Sequence, residues 1–210
     1  MTGETPDDAI PDDEMVLYQR FMEELKVRLS AMRGMLEEIP TIAASPHAFI
    51  VAESCYLQAR YVCELIALAS LAIHHNAETS RKVLASYRPK ETFDALRSQN
   101  PDAFPKAIDL HDREGSFHFE FAPERDVTPD QLYRIYGACG DALHRGTLKT
   151  ILAGKVKPYN IGDLRSWMLQ LANFLNQHTI LLDGHQNVFV VDLSGGQDSA
   201  ALVQRGSLKA

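Results

Sequence analysis

The sequence lacks a surplus of positive charge. Its 21 Lys and Arg are outnumbered by 28 Asp and Glu, for a formal net charge of -7. Glu4, Asp7, Asp8, Asp12, Asp13 and Glu14 fall before position 15 with no base among them, and the remainder is nearly neutral. No basic field is present of the kind that drives general binding to DNA or RNA. Paired cysteines are also lacking. Cys55, Cys63 and Cys139 are an odd number without a CxxC pair, which argues against a disulfide framework or a structural zinc site and suits a reducing compartment. The eight histidines show no HExxH or HxxxH spacing, and adjacent His74 and His75 read as cations facing a helix C-terminus. The most apolar window, Tyr61 to Ile73, contains Glu64 and falls short of the ~20 apolar residues a membrane span needs. The first residues have neither the positive start nor the apolar core of a signal peptide. The expectation is a cytoplasmic protein with no metal, no cofactor and no membrane contact, comprising a disordered acidic tail over 1–12 and one domain over 13–210.

Long uninterrupted helical patterns are present instead. From 46 to 75 the chain contains no glycine and, after Pro46, no proline; Ser45 as N-cap and Pro46 at the first position give it a defined start. At 100° per residue Glu53, Leu57, Arg60, Glu64 and Leu71 share a narrow arc, and nearly everything else is apolar or small. This predicts a central helix. Over about 13–38, Tyr18, Met22, Leu25, Leu29, Met32 and Leu36 alternate by four and three, the seam of a helix packed lengthwise on another, with Pro40 beyond its end. Two short helices follow, at 80–87 and 89–99. Thr128-Pro129-Asp130-Gln131 is a capping box opening a helix to Arg145. Asn160 caps a last helix over 161–182, in which Ile161, Leu164, Met168, Leu171, Leu175 and Leu182 keep the alternation and Gly184 is the stop.

The period changes to two at 106–121, where Ile108 and Leu110, then Phe117, Phe119 and Phe121, alternate with polar residues around a turn. A second β-branched run, VFVVDL, opens the segment 187–204. The predicted fold is mainly α: a helical bundle around one long central helix, with two small β-hairpins at about 106–121 and 187–204.

Three constellations are candidate sites. Glu53, Arg60 and Glu64 lie on one side of the central helix, either as its wet edge or as a buried network that must then be paired. Asp141, His144 and Arg145 end the 129–145 helix. Histidine is the side chain that changes charge near neutrality, which makes His144 the best acid/base candidate, while the plain alternative is a histidine at a helix C-terminus. Tyr133, Gly137, Gly140 and His144 line one face of that helix, so its two interior glycines predict close approach of a neighbour, expected to be the middle of the central helix. Finally, Ser194-Gly195-Gly196-Gln197-Asp198-Ser199 resembles the SGGxDS signature of PP-loop ATP pyrophosphatases, which implies binding of ATP pyrophosphate. Only eleven residues follow Ser199, and no alternating strands and helices precede it. The segment is therefore read as a glycine-rich hairpin turn.

Long helices with a polar stripe, and Arg and His on a later helix, resemble the HEPN group of prokaryotic helical proteins, many of which are RNases of toxin and phage-defence systems. That group's pattern is Arg followed four to six residues later by His on a helix. Here Arg134 and His144 have nine residues between them, and Arg113 and His118 fall in the predicted hairpin. The resemblance implies an RNA substrate, with His144 as acid/base, Arg145 or Arg60 holding a phosphate, and Glu53 or Glu64 orienting them. The other reading is a non-catalytic dimeric interaction module with a protein partner, in which these residues form a structural network. Two helical seams, and too few long helices to cover every face of the central one, favour self-association.

Overall fold

The computed structural model describes residues 12–42, 45, 47–74, 81–85, 88–100, 102–113, 116–144, 146–154, 158–182, 187–195 and 199–207. The expected acidic tail up to residue 11, Pro46, His75 and Arg145 lie outside these residues. The fold is mainly α with a small antiparallel sheet. Helix α1 spans Asp12–Ile42 and α2 His47–His74; α3 (Arg81–Leu84) and α4 (Pro89–Gln99) follow. Strands β1 (Lys106–Arg113) and β2 (Ser116–Phe121) form a hairpin, and a 3-10 turn leads into α5 (Pro129–Leu143) and α6 (Leu148–Leu152). The chain closes with α7 (Ile161–Asn176), β3 (Gln177–Leu181), β4 (Asn187–Asp192) and β5 (Leu202–Ser207).

The α1 seam is the backbone of the core. Tyr18, Met22, Leu25, Leu29, Met32 and Leu36 are all buried, packed with Cys55, Ala59, Val62, Cys63 and Ile66 of α2 and with Leu164, Leu171 and Leu175 of α7. Truncating any one of these large side chains to alanine costs ~2–5 kcal/mol. Helix α2 is, by length and composition, apolar enough to cross a membrane, but 67% of its most apolar 18-residue window is buried inside the fold. Two predicted caps have the expected chemistry. Thr128 Oγ1 accepts from the Gln131 amide at 3.2 Å and Gln131 Oε1 accepts from the Thr128 amide at 2.7 Å, while Asn160 Oδ1 accepts from Asp163 N at 3.1 Å.

Helix α1 does not stop before Pro40 but continues to Ile42. Proline deprives the carbonyl four residues earlier of its helical donor. That carbonyl belongs to Leu36, and Arg165 Nη2 of α7 supplies the missing bond at 3.1 Å. The replacement donor removes the main reason for the helix to end.

The last helix is shorter than its apolar spacing implies, because α7 ends at Asn176 and β3 begins at the next residue. His178, Thr179, Ile180 and Leu181 are buried in succession, as in a strand covered on both faces. His178 Nδ1 donates to the carbonyl of Leu175 at 2.9 Å, the group that residue 179 would have satisfied in a continuing helix. Thr179 Oγ1 donates to Phe189 O at 2.8 Å. Strand β3 joins the two hairpins into one five-stranded sheet, ordered β2-β1-β3-β4-β5. The β1–β3 pairing is short, Lys106 opposite Thr179 and Ala107 opposite His178. The β4–β5 connection runs from Leu193 to Ala201, and the glycine-rich segment read as a hairpin turn falls within it. Ser194, Gly195 and Ser199 lie in it; 196–198 are outside the described residues.

Candidate functional site

The polar stripe of α2 divides into two paired clusters. In the first, Arg60 Nε lies 3.1 Å from Glu64 Oε1, with side-chain exposures of 29% and 21%, and Arg60 Nη2 donates to the Tyr136 hydroxyl at 2.8 Å. The guanidinium also stacks on the Tyr136 ring, 4.7 Å from its centroid. Burial works against the Arg60 charge, but the hydrogen bonds to Glu64 and Tyr136 and their fields outweigh it and hold the group firmly protonated. Burial likewise raises the Tyr136 hydroxyl, partly opposed by Arg60. The stripe is therefore a half-buried network between α2 and α5, in which each charge has a partner, as the cost of burying a lone charge requires.

In the second cluster, two helical turns toward the N-terminus of α2, Glu53 accepts a hydrogen bond from the Tyr159 hydroxyl. Tyr159 packs against Tyr56 with ring centroids 5.9 Å apart, and Tyr56 meets Trp167 edge-on at 6.2 Å. The Tyr56 hydroxyl accepts from the Asn160 amide at 3.0 Å. Tyr56, Tyr136, Tyr159 and Trp167 were not singled out by sequence reasoning. Tyr136 alone had a local signal, lying one turn from Cys139 on the inward side of its helix.

His144 stands apart from both clusters. It is the exposed C-cap residue of α5, and among the described residues it makes no hydrogen bond or ion pair with Arg60 or Glu64. The glycine face expected to press on α2 is open at Gly137, where an added Cβ would meet nothing within 4 Å. At Gly140 the neighbour is the Arg60 guanidinium, 3.6 Å from such a Cβ. Helix α5 instead turns Leu132, Ile135 and Cys139 into the core. Arg113 and His118 belong to neighbouring strands, with His111 opposite His118 in the register. Burial pushes the Cys55 thiol up to about 11 and Cys139 up to about 12, and Cys63 is also raised by its burial. None of the three offers a thiolate nucleophile near neutral pH. No three His, Cys, Asp or Glu side chains among the described residues form a set able to hold a metal ion.

One long surface of α2 is apolar and is left partly exposed by the described residues. Ile50, Leu57, Tyr61 and Leu68 are 49%, 36%, 37% and 38% exposed, and at 100° per residue they fall within an arc of about 40°. On one side the stripe is bounded by Arg28 of α1, which stacks over Tyr61 at 4.4 Å and donates to Gln58 at 2.7 Å. On the other it is bounded by the Arg60–Glu64 pair. Comparison with known proteins gives no relative to set beside these features: no family model, curated protein or solved structure matches the chain.

Proposed function

We propose that the protein is a non-catalytic, homodimeric interaction module that self-associates through the exposed line of α2. The observation that carries this reading is the symmetry of that line. Ile50 and Leu68 lie nine residues on either side of Ala59, and Leu57 and Tyr61 lie two. A two-fold axis passing beside the exposed line at the level of Ala59 sets Ile50 against the partner's Leu68 and Leu57 against the partner's Tyr61, in an antiparallel helix pair. Such self-complementarity is the requirement of a two-fold interface. A protein has little reason otherwise to leave only apolar side chains along the exposed line of its central helix. The internally satisfied Arg60–Glu64–Tyr136 and Glu53–Tyr159 clusters support a structural role for the polar stripe, and three unpaired thiols fit a reducing compartment such as the cytoplasm.

The register is tested by cross-linking. Within one helix, positions 50 and 68 are ~27 Å apart at 1.5 Å per residue, beyond the reach of a short thiol-reactive cross-linker. An Ile50→Cys/Leu68→Cys double variant should therefore give a covalent dimer, and each single variant far less. Equal cross-linking of the single variants, or none in the double variant, would contradict the antiparallel pairing.

A further inference from the structure

A second feature lies where α1, the end of α7 and the chain leaving β4 converge. They enclose a pocket of about 330 Å³, within the size range of small-molecule sites. Its apolar lining is Leu29, Ala172, Leu175 and Leu193. Its polar lining comes from three separate segments: Lys26, Ser30 and Arg33 from α1, Asn176 from α7, and Ser194 after β4. No carboxylate is among the described lining residues. Lys26 and Arg33 are seven residues apart, and Ser30 lies between them on the same helical face.

The described residues at either end of the loop beside the pocket, Leu193 to Gly195 and Ser199, are tied to their neighbours. Lys26 Nζ donates to the carbonyl of Ser199 at 2.7 Å and to its hydroxyl at 3.2 Å, tying the β4–β5 connection to α1. At Gly195 the chain folds so closely on Ser199 that an added Cβ would lie 2.1 Å from its Oγ. The Ser194 amide donates to Asp192 Oδ1 at 2.8 Å, and Leu193 N donates to Asn176 O at 2.7 Å. By contrast, Ser30, Arg33, the Asn176 side-chain amide and the Ser194 hydroxyl make no hydrogen bond or ion pair with another described residue. Donors from three directions thus meet at one cavity over an apolar floor.

We infer that this pocket binds an organic phosphate, a phosphomonoester with a small apolar body. The charged head sits at the rim between Arg33 and Lys26, and the body lies on Leu29, Ala172, Leu175 and Leu193. A tetrahedral head with three terminal oxygens can use donors arriving from α1, α7 and the β4 exit, whereas a planar carboxylate engages donors mainly in one plane. The Arg33 guanidinium and the Lys26 ammonium supply the field for an anion.

Phenyl phosphate is the direct probe, with inorganic phosphate testing the head alone and benzoate testing a carboxylate on the same body. Isothermal titration of the full-length protein should show phenyl phosphate binding at least tenfold more tightly than either. Arg33 is exposed and has no partner among the described residues, so its replacement leaves the fold intact. Arg33→Ala should weaken phenyl phosphate about tenfold, the size of one charge-assisted hydrogen bond, and Arg33→Glu should abolish binding. Absence of phenyl phosphate binding, equal affinity for inorganic phosphate or benzoate, or indifference to Arg33→Ala would each overturn the assignment. The site does not depend on the dimer: a Leu57→Glu variant should bind phenyl phosphate as the wild type does.

Discussion

The phenol of Tyr18 in α1 donates to Nε2 of His178 in β3 across 2.8 Å, and both side chains are fully inaccessible to solvent. The direction of the bond follows from the other ring nitrogen. The carbonyl of Leu175 can only accept, so Nδ1 carries the proton and Nε2 is the acceptor. One imidazole thereby ends α7, begins β3 and ties the sheet to the first helix.

This pair makes stability depend on pH. Burial lowers the His178 pKa to about 4, against a smaller opposing pull from the Leu175 carbonyl, whereas an unfolded histidine titrates near ~6.5. Between those values the unfolded chain takes up a proton that the folded chain refuses. The contribution of His178 is therefore complete above pH ~6.5 and is lost progressively as pH falls toward about 4. At about 1.36 kcal/mol per pKa unit the loss approaches ~3 kcal/mol. Urea unfolding at pH 7.5 and 4.5 should show it, and His178→Gln should flatten that part of the slope.

The Tyr18 hydroxyl can be removed separately. Tyr18→Phe keeps the ring in the core but leaves Nε2 of His178 buried without its donor, which should cost ~1–3 kcal/mol at neutral pH. Because the phenol is buried with its ring, a smaller loss would mean that water or a shifted side chain replaces it, and the denaturation midpoint reads this directly.

Arg165 and Pro40 should be coupled. Arg165→Met removes the donor to Leu36 O and should cost about 1 kcal/mol. In a Pro40→Ala background the restored backbone amide can serve the same carbonyl, so the Arg165→Met loss should largely vanish. A double-mutant cycle measures the difference; additive losses would show that Arg165 is not replacing the proline's missing bond.

Gly137 should respond to substitution in the sense opposite to a close-packed glycine. With open space at its Cβ position, Gly137→Ala should stabilise the protein by about 0.5–1 kcal/mol through helix propensity and reduced freedom of the unfolded chain. Thermal unfolding checks the sign, and destabilisation would mean that something covers this face.

Much of the framework was legible because it is local. The α1 seam, the Thr128–Gln131 capping box and the Asn160 cap are statements about residues a few positions apart, and each has its expected place in the fold. The errors occur where a distant group decides. Leu36 gains Arg165 from α7, so Pro40 does not end α1. The spacing from Leu175 to Leu182 continues a helical count, but Tyr18 and the sheet convert His178–Leu181 to strand. Gly137 and Gly140 share a face, yet only Gly140 meets a neighbour, and that neighbour is the Arg60 side chain. The pairing of Arg60 with Tyr136 and the pocket below Arg33 both join segments far apart in sequence. Their spacing carries no signal of either. The unpartnered side of α2 was legible in kind, since too few long helices were available to cover it, but the symmetric spacing of Ile50, Leu57, Tyr61 and Leu68 emerges only once their exposure is known.

The nuclease reading retains a direct test. A non-catalytic module should leave structured and single-stranded RNA intact over long incubation with purified protein, with or without divalent ions. Cleavage that disappears in His144→Ala would instead assign His144 the acid/base role that the HEPN resemblance implies.

Self-association through α2 is tested most directly by sedimentation equilibrium of the wild type beside a Leu57→Glu/Tyr61→Glu variant, at tens of micromolar protein. Both positions are exposed in the single chain, so the substitutions should leave the fold and its circular dichroism unchanged while placing like charges across the two-fold axis. The wild type should have twice the 23.5 kDa mass of the chain, and the variant the mass of one chain. A monomeric wild type, or a variant that remains dimeric, would contradict the proposed interface.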